Sequence, residues 1–225
     1  MPNPNITITP LNHPSETPTY IHTFTTSFST PSAEMLTPLI YRTDLLSPPV
    51  QTHFLATFDP PSPTNRLYLA KDTTTDEVLG CSGWELFNPD EADSRDVEER
   101  LKAYLAKAEE HAAPPELRRN DELRRAAITA MFRARASLPR PFVELAMLAV
   151  HPDHQGKGVG SALLKDGLRW VDELGVPAFV VSSGQGRGLY KRYGFEEEWD
   201  FGLDAREFGG EREGRHWCML RRART

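Results

Sequence analysis

The chain has 225 residues, of which 39% are hydrophobic and 26% are charged, enough apolar material for one buried core in an ordinary globular protein. The 32 acidic residues outnumber the 26 basic ones and give a net charge of −6, which is opposite in sign to the charge of a sequence-independent nucleic-acid binder. Because no apolar run approaches the ~18 residues of a membrane span and the first residues lack the basic and apolar stretches of a signal peptide, we also expect no contact with a membrane.

The two cysteines indicate a reducing compartment. Cys81 and Cys218 lie far apart, each among apolar or aromatic neighbours, and their spacing does not match that of metal ligands. We interpret them as buried free thiols. The expected location is therefore the cytoplasm, and no metal ion is expected.

In chain order, the N-terminal region predicts short, separate elements, because many of the 19 prolines fall there. Alternating β-branched residues at 6–9 predict a first strand. Thr17 followed by Pro18 predicts the start of a helix with one apolar face. Weaker helical patterns follow at 30–41 and 50–58.

A hairpin and a helical region come next. Residues 67–70 and 78–87 predict two strands, joined by a polar turn at 72–76. Between 89 and 140 the charge rises, β-branched residues thin out and apolar residues recur at helical spacing. We therefore predict one domain over 1–225 with a helical insertion at 89–140.

The last third predicts a parallel pair of strands. An apolar strand at 143–150, an amphipathic helix that ends at Gly175 and a buried strand at 178–181 follow in that order. This order is typical of two parallel strands joined by a crossover helix. The remaining predicted elements are a short helix at 189–193 and strands at 198–203 and 216–220.

A glycine-rich turn lies between the strand at 143–150 and the helix that follows it. Gly156, Gly158 and Gly160 remove side chains where this helix begins, so that backbone N–H groups can approach an anion closely. The helix dipole adds about half a positive charge at the same place, and Lys157 adds a mobile cation. The turn therefore predicts a phosphate or pyrophosphate site.

Two common phosphate-binding patterns do not fit this turn. No register matches the P-loop pattern Gly-x4-Gly-Lys-Ser/Thr. The dinucleotide pattern Gly-x-Gly-x-x-Gly also fails, because its last position falls on Ser161 or on Leu163.

The turn instead resembles the hallmark of the GNAT N-acetyltransferase superfamily. Gln155, Gly158 and Gly160 fit the pattern Gln/Arg-x-x-Gly-x-Gly/Ala. The flanking residues at 148–164 are also similar to those of a typical member.

A second family landmark follows about thirty residues later. Tyr190, Gly194 and Phe195 fit the pattern Tyr-x-x-x-Gly-Phe, and the close resemblance covers the acetyl-CoA-binding core at 143–195. It implies an α/β fold of the layered α+β kind, with a GNAT-like mixed central sheet of about six or seven strands flanked by helices.

The resemblance also implies a site for acetyl-CoA. In the family, the strand before the turn splays from its neighbour, and its free backbone groups contact pantetheine. The residues of this chain that match that strand are Leu148, Ala149 and Val150. The Leu148 N–H would contact the acetyl carbonyl. Ser183 stands near the place where many members carry an asparagine that contacts the cofactor. The backbone amides that would hold the pyrophosphate are those of Gln155, Gly156, Lys157, Gly158, Val159, Gly160 and Ser161.

Two side chains are candidates for catalysis by the same resemblance. Glu144, the only ionisable residue inside its strand, lies where some members carry a glutamate that acts as the general base. The alternatives are that Glu144 faces solvent or pairs with an arginine of the insertion. Tyr190 matches the tyrosine that protonates the leaving thiolate, whereas Tyr193 is assigned to packing.

The expected function is direct transfer of an acetyl group from acetyl-CoA to the amine of a small molecule or peptide. The alternatives are a non-catalytic acyl-CoA-binding or regulatory module, acyl transfer to a hydroxyl, hydrolysis, and a helical interaction protein. In this fold the acceptor cleft would be built from residues 24–40 and 84–87. The identity of the acceptor and the formation of a homodimer stay open at this point.

Overall fold

A computed structural model of the chain describes residues 5–29, 40, 44–58, 60–88, 96–209 and 214–224. Within these ranges, seven strands form one mixed sheet in the order β1-β2-β3-β4-β5-β7-β6. The strands are β1 (Ile6–Pro10), β2 (Asn65–Asp72), β3 (Val78–Phe87), β4 (Phe142–Val150), β5 (Ala178–Ser183), β6 (Glu196–Asp200) and β7 (His216–Arg221). Among the strands described, only the β4–β5 pair is parallel, which confirms the predicted crossover and the predicted mixed α/β sheet.

Six α-helices flank the sheet in the described residues. They are α1 (Thr17–Phe28), α2 (Pro48–Ala56), α3 (Val97–Glu110), α4 (Asp121–Ala136), α5 (Val159–Leu174) and α6 (Gly184–Arg192). None of the helices described is both long and apolar enough to cross a membrane. The helical pattern at 30–41 lies, apart from Ile40, outside the described residues.

Helix α5 covers one face of the sheet. Its apolar residues pack on side chains that alternate along the strands, among them Tyr68 and Ala70 of β2 and Val143 of β4. Gly167 is required here, since a Cβ at this position would lie 2.1 Å from the indole ring of the fully buried Trp84. Trp84 therefore belongs to the core under α5.

The other face carries α1 and α4. Phe24 and Phe28 of α1 belong to a buried cluster with the alternate side chains of β2. Helix α4, which together with α3 lies between β3 and β4 in the chain, packs through Leu123 and Ala134 on Phe142 and Phe179. The helices predicted at 89–140 are therefore present, and they lie against the end of the sheet where β4 and β5 are paired.

Several elements differ from their predicted bounds, and for two of them the local reason is visible. Strand β6 ends at Asp200 and not at residue 203, because Gly202 has a φ of 73° and donates its N–H to the Asp200 carboxylate at 2.9 Å. Helix α6 begins at Gly184, five residues before the predicted start at 189. Its three glycines lower helix propensity, but the Ser183 hydroxyl caps it by accepting the Gly186 N–H at 3.4 Å.

Candidate active site

The two parallel strands separate toward their carboxyl ends. β4 and β5 pair only through Val143 with Ala178 and Glu144 with Phe179, although β4 continues to Val150 and β5 to Ser183. On the other side of β4, the pairing with β3 shifts by one residue and leaves the exposed Ala146 as a bulge. A bulge bends its strand and increases the local twist, and this bulge lies just after the last paired residues of β4 and β5.

A cavity of about 350 Å³ lies in this opening. Its walls come from the end of α1, the end of β4, the glycine-rich turn with the first turn of α5, and helix α6 with its capping residue. The lining residues are Ser27, Phe28, Leu148, Ala149, Val150, His154, Gln155, Gly156, Gly158, Val159, Gly160, Ser161, Ser183, Gln185, Gly186, Leu189, Tyr190 and Arg192. Ten of the eleven residues predicted to bind the cofactor are among them, and the exception is Lys157.

The end of β4 directs backbone groups into the opening. The N–H of His151 donates to the carbonyl of Leu79 on the β3 side at 2.9 Å. Because successive N–H groups of an extended chain alternate in direction, those of Leu148 and Val150 point to the opposite side, where β5 has diverged. They are therefore placed to bind an extended ligand between the two strands.

The first turn of α5 presents a row of backbone amides to the cavity. The first intrahelical bond runs from the N–H of Ala162 to the carbonyl of Gly158 at 3.0 Å, and no side chain caps the helix. The N–H groups of Val159, Gly160 and Ser161 thus have no partner within the helix. Together with the dipole of a 16-residue helix, they form a site suited to an anion.

Two glycines give this turn its shape. Gly158 has a φ of 89° and Gly156 a φ of 73°, in the left-handed region that side chains disfavour. By contrast, a Cβ at Gly160 would lie at ordinary contact distances, 3.4 Å from Leu189 and 3.6 Å from Val150. The conformation therefore requires glycine at 156 and 158 more than at 160.

A short chain of side-chain amides spans the opening. Gln155 Nε2 donates to the carbonyl of Val150 at 3.3 Å, and Gln155 Oε1 accepts from Gln185 Nε2 at 3.2 Å. The first contact shows that the Val150 carbonyl faces the cavity. Gln185 is a site residue that the sequence reasoning missed.

Tyr190 lines the cavity from α6 and is 7% exposed. Burial raises the pKa of its phenol above the ordinary value, so the group keeps its proton at neutral pH and can donate it as a hydrogen bond. A Cβ at Gly186, one turn earlier, would lie 2.8 Å from the ring, so glycine at this position makes room for it. No hydrogen bond joins the Tyr190 hydroxyl to the residues that the structure describes.

The neighbouring tyrosine and serine hold α6 in place. The hydroxyl of Tyr193 donates to the carbonyl of Ser161 at 3.3 Å and thereby joins α6 to the first turn of α5, as a packing role implies. Ser183 lines the cavity while its oxygen caps α6. Because the Ser183 oxygen is the acceptor in this cap, the hydroxyl can still donate its proton to another group.

Glu144 does not line the cavity. It is 1% exposed, and its two carboxylate oxygens accept hydrogen bonds from Arg135 of α4 at 2.7 and 3.2 Å. Arg135 also donates to the hydroxyl of Tyr104 of α3 at 2.7 Å. Burial, the largest single cause, would lower the pKa of the Arg135 guanidinium, but the Glu144 carboxylate together with Tyr104 and Glu85 raises that pKa overall. Of the roles considered for Glu144, pairing with an arginine of the 89–140 segment is the arrangement found.

Several cavity residues have no clear signal in the sequence. Ser27 and Phe28 enter through the packing of α1 on the sheet, a tertiary fact that local patterns do not contain. Gly186 could have been found, because it precedes Tyr190 by four residues and a helix places such residues side by side. The part of the predicted acceptor cleft at 30–39 lies outside the described residues, and Trp84 lies in the core.

The sequence and the fold were compared with those of known proteins. The sequence pattern of the acetyltransferase (GNAT) domain matches residues 119–197, which include α5, α6 and the strand β5 between them.

Solved structures of several acetyltransferases share the fold. The histone acetyltransferase HPA2 and related acetyltransferase of Corynebacterium glutamicum is 18% identical, with a TM-score of 0.63 over 98% of both chains. The arylalkylamine N-acetyltransferase 2 of Aedes aegypti is 12% identical, with a TM-score of 0.63 over 97% of this chain and 99% of the other. A GCN5-related N-acetyltransferase from Kribbella flavida is 12% identical, with a TM-score of 0.55 over 97% and 98% of the two chains. The predicted resemblance to the GNAT superfamily is thus confirmed: residues 119–197 match the model of the acetyltransferase (GNAT) domain, and the fold is similar to that of solved acetyltransferases.

Proposed function

We propose that the protein transfers the acetyl group of acetyl-CoA to an amine. The observation that carries this proposal is the separation of β4 from β5 directly before the uncapped N-terminus of α5. Backbone groups for an extended amide-containing arm thereby lie next to amides for a phosphate, in one cavity of about 350 Å³. Acetyl-CoA carries both chemical groups in that order.

Each part of the cofactor has a matching part of the site. The Leu148 N–H would polarise the acetyl carbonyl and stabilise the negative charge that develops on its oxygen. Val150 would pair with pantetheine, whose amide would replace the side chain of Gln155 on the Val150 carbonyl. The amides at 159–161 would hold the pyrophosphate.

The chemistry proceeds by direct attack. The neutral amine adds to the acetyl carbon, the carbon–sulfur bond of the tetrahedral intermediate breaks, and CoA leaves as a thiolate. The Tyr190 phenol, protonated at neutral pH, would give the thiolate its proton. Because an alkylamine with a pKa of about 10.4 is mostly protonated near pH 7, a base must remove one proton before the attack. The nitrogen of the tetrahedral intermediate then loses a second proton to the base, and solvent returns a proton to Tyr190.

The general base is the second group that this reaction needs. Glu144 is the candidate from the resemblance, but both its oxygens are engaged by Arg135 and it lies outside the cavity lining. We therefore propose that Glu144 stabilises the junction of the helices with β4, and that water in the open cavity accepts the proton. The base role of Glu144 is the competing hypothesis.

The amine acceptor and the compartment also belong to this proposal. Two structures of the same fold bear names that refer to different amines, those of histones and of arylalkylamines, so the fold accommodates both peptide and small-molecule acceptors. Cys81 and Cys218 are free and buried, which supports a reducing compartment such as the cytoplasm.

A screen of amines tests the function. Purified protein is incubated with acetyl-CoA and a panel of arylalkylamines, polyamines, amino acids and peptides, and the free thiol of CoA is measured over time. The proposal expects thiol release that depends on one class of amine and yields the N-acetyl product by mass spectrometry. Amine-independent release would indicate a hydrolase, and an O-acetyl product would indicate transfer to a hydroxyl.

A further inference from the structure

Helix α6 carries three cationic side chains, and they have different surroundings. Arg187 and Lys191 both pair with the carboxylate of Glu197, where hydrogen bonds from Arg187 and then from Lys191 lower the pKa of Glu197 to about 2. Arg192 forms no ion pair and no hydrogen bond through its side chain with the described residues. It is the cation of this helix whose charge no neighbouring carboxylate neutralises.

Arg192 is also the one of the three that lines the cavity. Leu189 lies one turn before it and packs on the first turn of α5, where a Cβ at Gly160 would be 3.4 Å from Leu189 Cδ2. Tyr193, next to Arg192, bonds to Ser161 in that same turn. Residues 189, 192 and 193 therefore form one face of α6 that is turned toward the amides of α5.

The Arg192 side chain lies back along its own helix. A Cβ at Gly188, four residues earlier, would be 3.9 Å from Arg192 Nη1. The guanidinium thus lies near position 188, within ordinary contact distance of a side chain placed there. Lys157, the cation predicted from the glycine-rich turn, does not line the cavity.

We propose that Arg192 is the cation of the phosphate subsite and makes the enzyme select an acyl carrier that bears phosphates. This inference rests on the proposed use of acetyl-CoA. The amides of α5 supply only about half a positive charge, whereas the phosphates of CoA carry several negative charges and the chain itself has a net charge of −6. A guanidinium beside the amides offsets this repulsion and can form two parallel hydrogen bonds with one phosphate.

The test compares Arg192→Gln with Lys191→Gln. Both variants remove one positive charge from neighbouring positions of the same helix, but only Arg192 faces the cavity. Calorimetry with acetyl-CoA at low salt is expected to show a Kd about tenfold higher for Arg192→Gln and within twofold of wild type for Lys191→Gln. The difference for Arg192→Gln should shrink as sodium chloride is raised, because the lost interaction is between charges near the surface.

A carrier without phosphates provides the second arm. Turnover of S-acetyl-pantetheine, measured as kcat/KM with a common amine, is expected to be the same in wild type and Arg192→Gln. Equal acetyl-CoA affinity in wild type and Arg192→Gln overturns the inference, as does an equal loss in Lys191→Gln. A parallel loss with S-acetyl-pantetheine also overturns it, since Arg192 would then serve the structure of the site. If wild type itself fails to bind acetyl-CoA, the proposed function fails first, and the inference with it.

Discussion

At the scale of single residues, Tyr190 and Tyr193 show how position on one helix separates two roles. Tyr190 is buried, lines the cavity and keeps its hydroxyl free of hydrogen bonds to the described residues. Tyr193 uses its hydroxyl to bond Ser161. The two side chains have the same chemistry, so we assign the catalytic role to Tyr190 and the packing role to Tyr193 from their different surroundings.

Tyr190→Phe is expected to lower turnover by ~10²-fold or more while acetyl-CoA affinity stays within threefold. The reason is that the hydroxyl interacts with sulfur mainly as negative charge develops in the transition state. Since this hydroxyl has no described partner, the free energy of unfolding should change by less than ~1 kcal/mol. The measurements are turnover at saturating acetyl-CoA and chemical denaturation.

Tyr193→Phe is the matched control, because it removes the same hydroxyl three residues along the helix. It should keep turnover within a few fold and lose about 1 kcal/mol of stability with its hydrogen bond. Loss of activity in Tyr193→Phe with retention in Tyr190→Phe would reverse the assignment. Full activity in both would mean that solvent protonates the thiolate.

The second residue-scale prediction concerns Glu144 and Arg135. Glu144→Gln leaves the buried Arg135, whose side chain is 17% exposed, without its charge partner, so the free energy of unfolding should fall by about 3 kcal/mol. Turnover of the folded variant should fall less than tenfold if water is the base. Denaturation curves of this variant give its free energy of unfolding, and a pH–rate profile gives its turnover.

Arg135→Met and the double variant Arg135→Met/Glu144→Met complete this experiment. Each single variant should be destabilised, and the double variant should recover most of the loss, because no unpaired buried charge remains. If instead Glu144→Gln alone abolishes turnover and removes the acidic limb of the pH–rate profile, Glu144 is the base and our proposal of water is wrong.

At the scale of elements, the turn between β4 and α5 is where one local sequence makes a binding site. Gly158 and Gly156 take left-handed conformations, and the amides of α5 stay open because no side chain caps the helix. The separation of β4 and β5 then decides what lies next to those amides. We therefore expect acetyl-CoA binding to need both the open amides of α5 and the gap between β4 and β5.

Gly158→Val is expected to raise the Kd for acetyl-CoA by more than tenfold. Valine disfavours the φ of 89° found at this position, at a cost of about 1–2 kcal/mol, and the turn should move away from its anion-binding shape. Gly160→Ala is the control, because its Cβ meets only ordinary contacts; its Kd should stay within threefold. Calorimetry measures the Kd for acetyl-CoA in both variants. An unchanged Kd in Gly158→Val would mean that the phosphate site lies elsewhere.

Sequence reasoning found the elements whose signals are local and missed features that arise from packing. The glycines of the turn, the crossover order and the tyrosine landmark lie close together in the chain, so their patterns predict β4, α5 and most of the cavity. The ion pair of Glu144 depends on Arg135, which comes from α4, and Phe28 lines the cavity because α1 packs on the sheet. Neither contact is contained in a local sequence pattern. Helix α6 was predicted too short because its glycines lower helix propensity, whereas the Ser183 cap acts from outside the pattern.

At the scale of the whole molecule, the sheet joins two differently built halves. β1 to β4 form a continuous antiparallel meander, whereas β5, β7 and β6 form a second antiparallel group. In the part of the chain that the structure describes, only two pairs of strand residues join the two groups within the sheet. A ligand that lies between β4 and β5 would bridge this seam, so binding is expected to stabilise the fold as a whole.

Binding of acetyl-CoA therefore tests the central claim most directly. At a free concentration 100-fold above Kd, linkage predicts a gain of about 2.7 kcal/mol in stability and a clear rise in Tm. NAD and ATP carry phosphates but no pantetheine arm, and they should raise the Tm far less. A one-to-one calorimetric isotherm with acetyl-CoA is the result that this account predicts. No heat of binding and no rise in Tm at millimolar acetyl-CoA would contradict it.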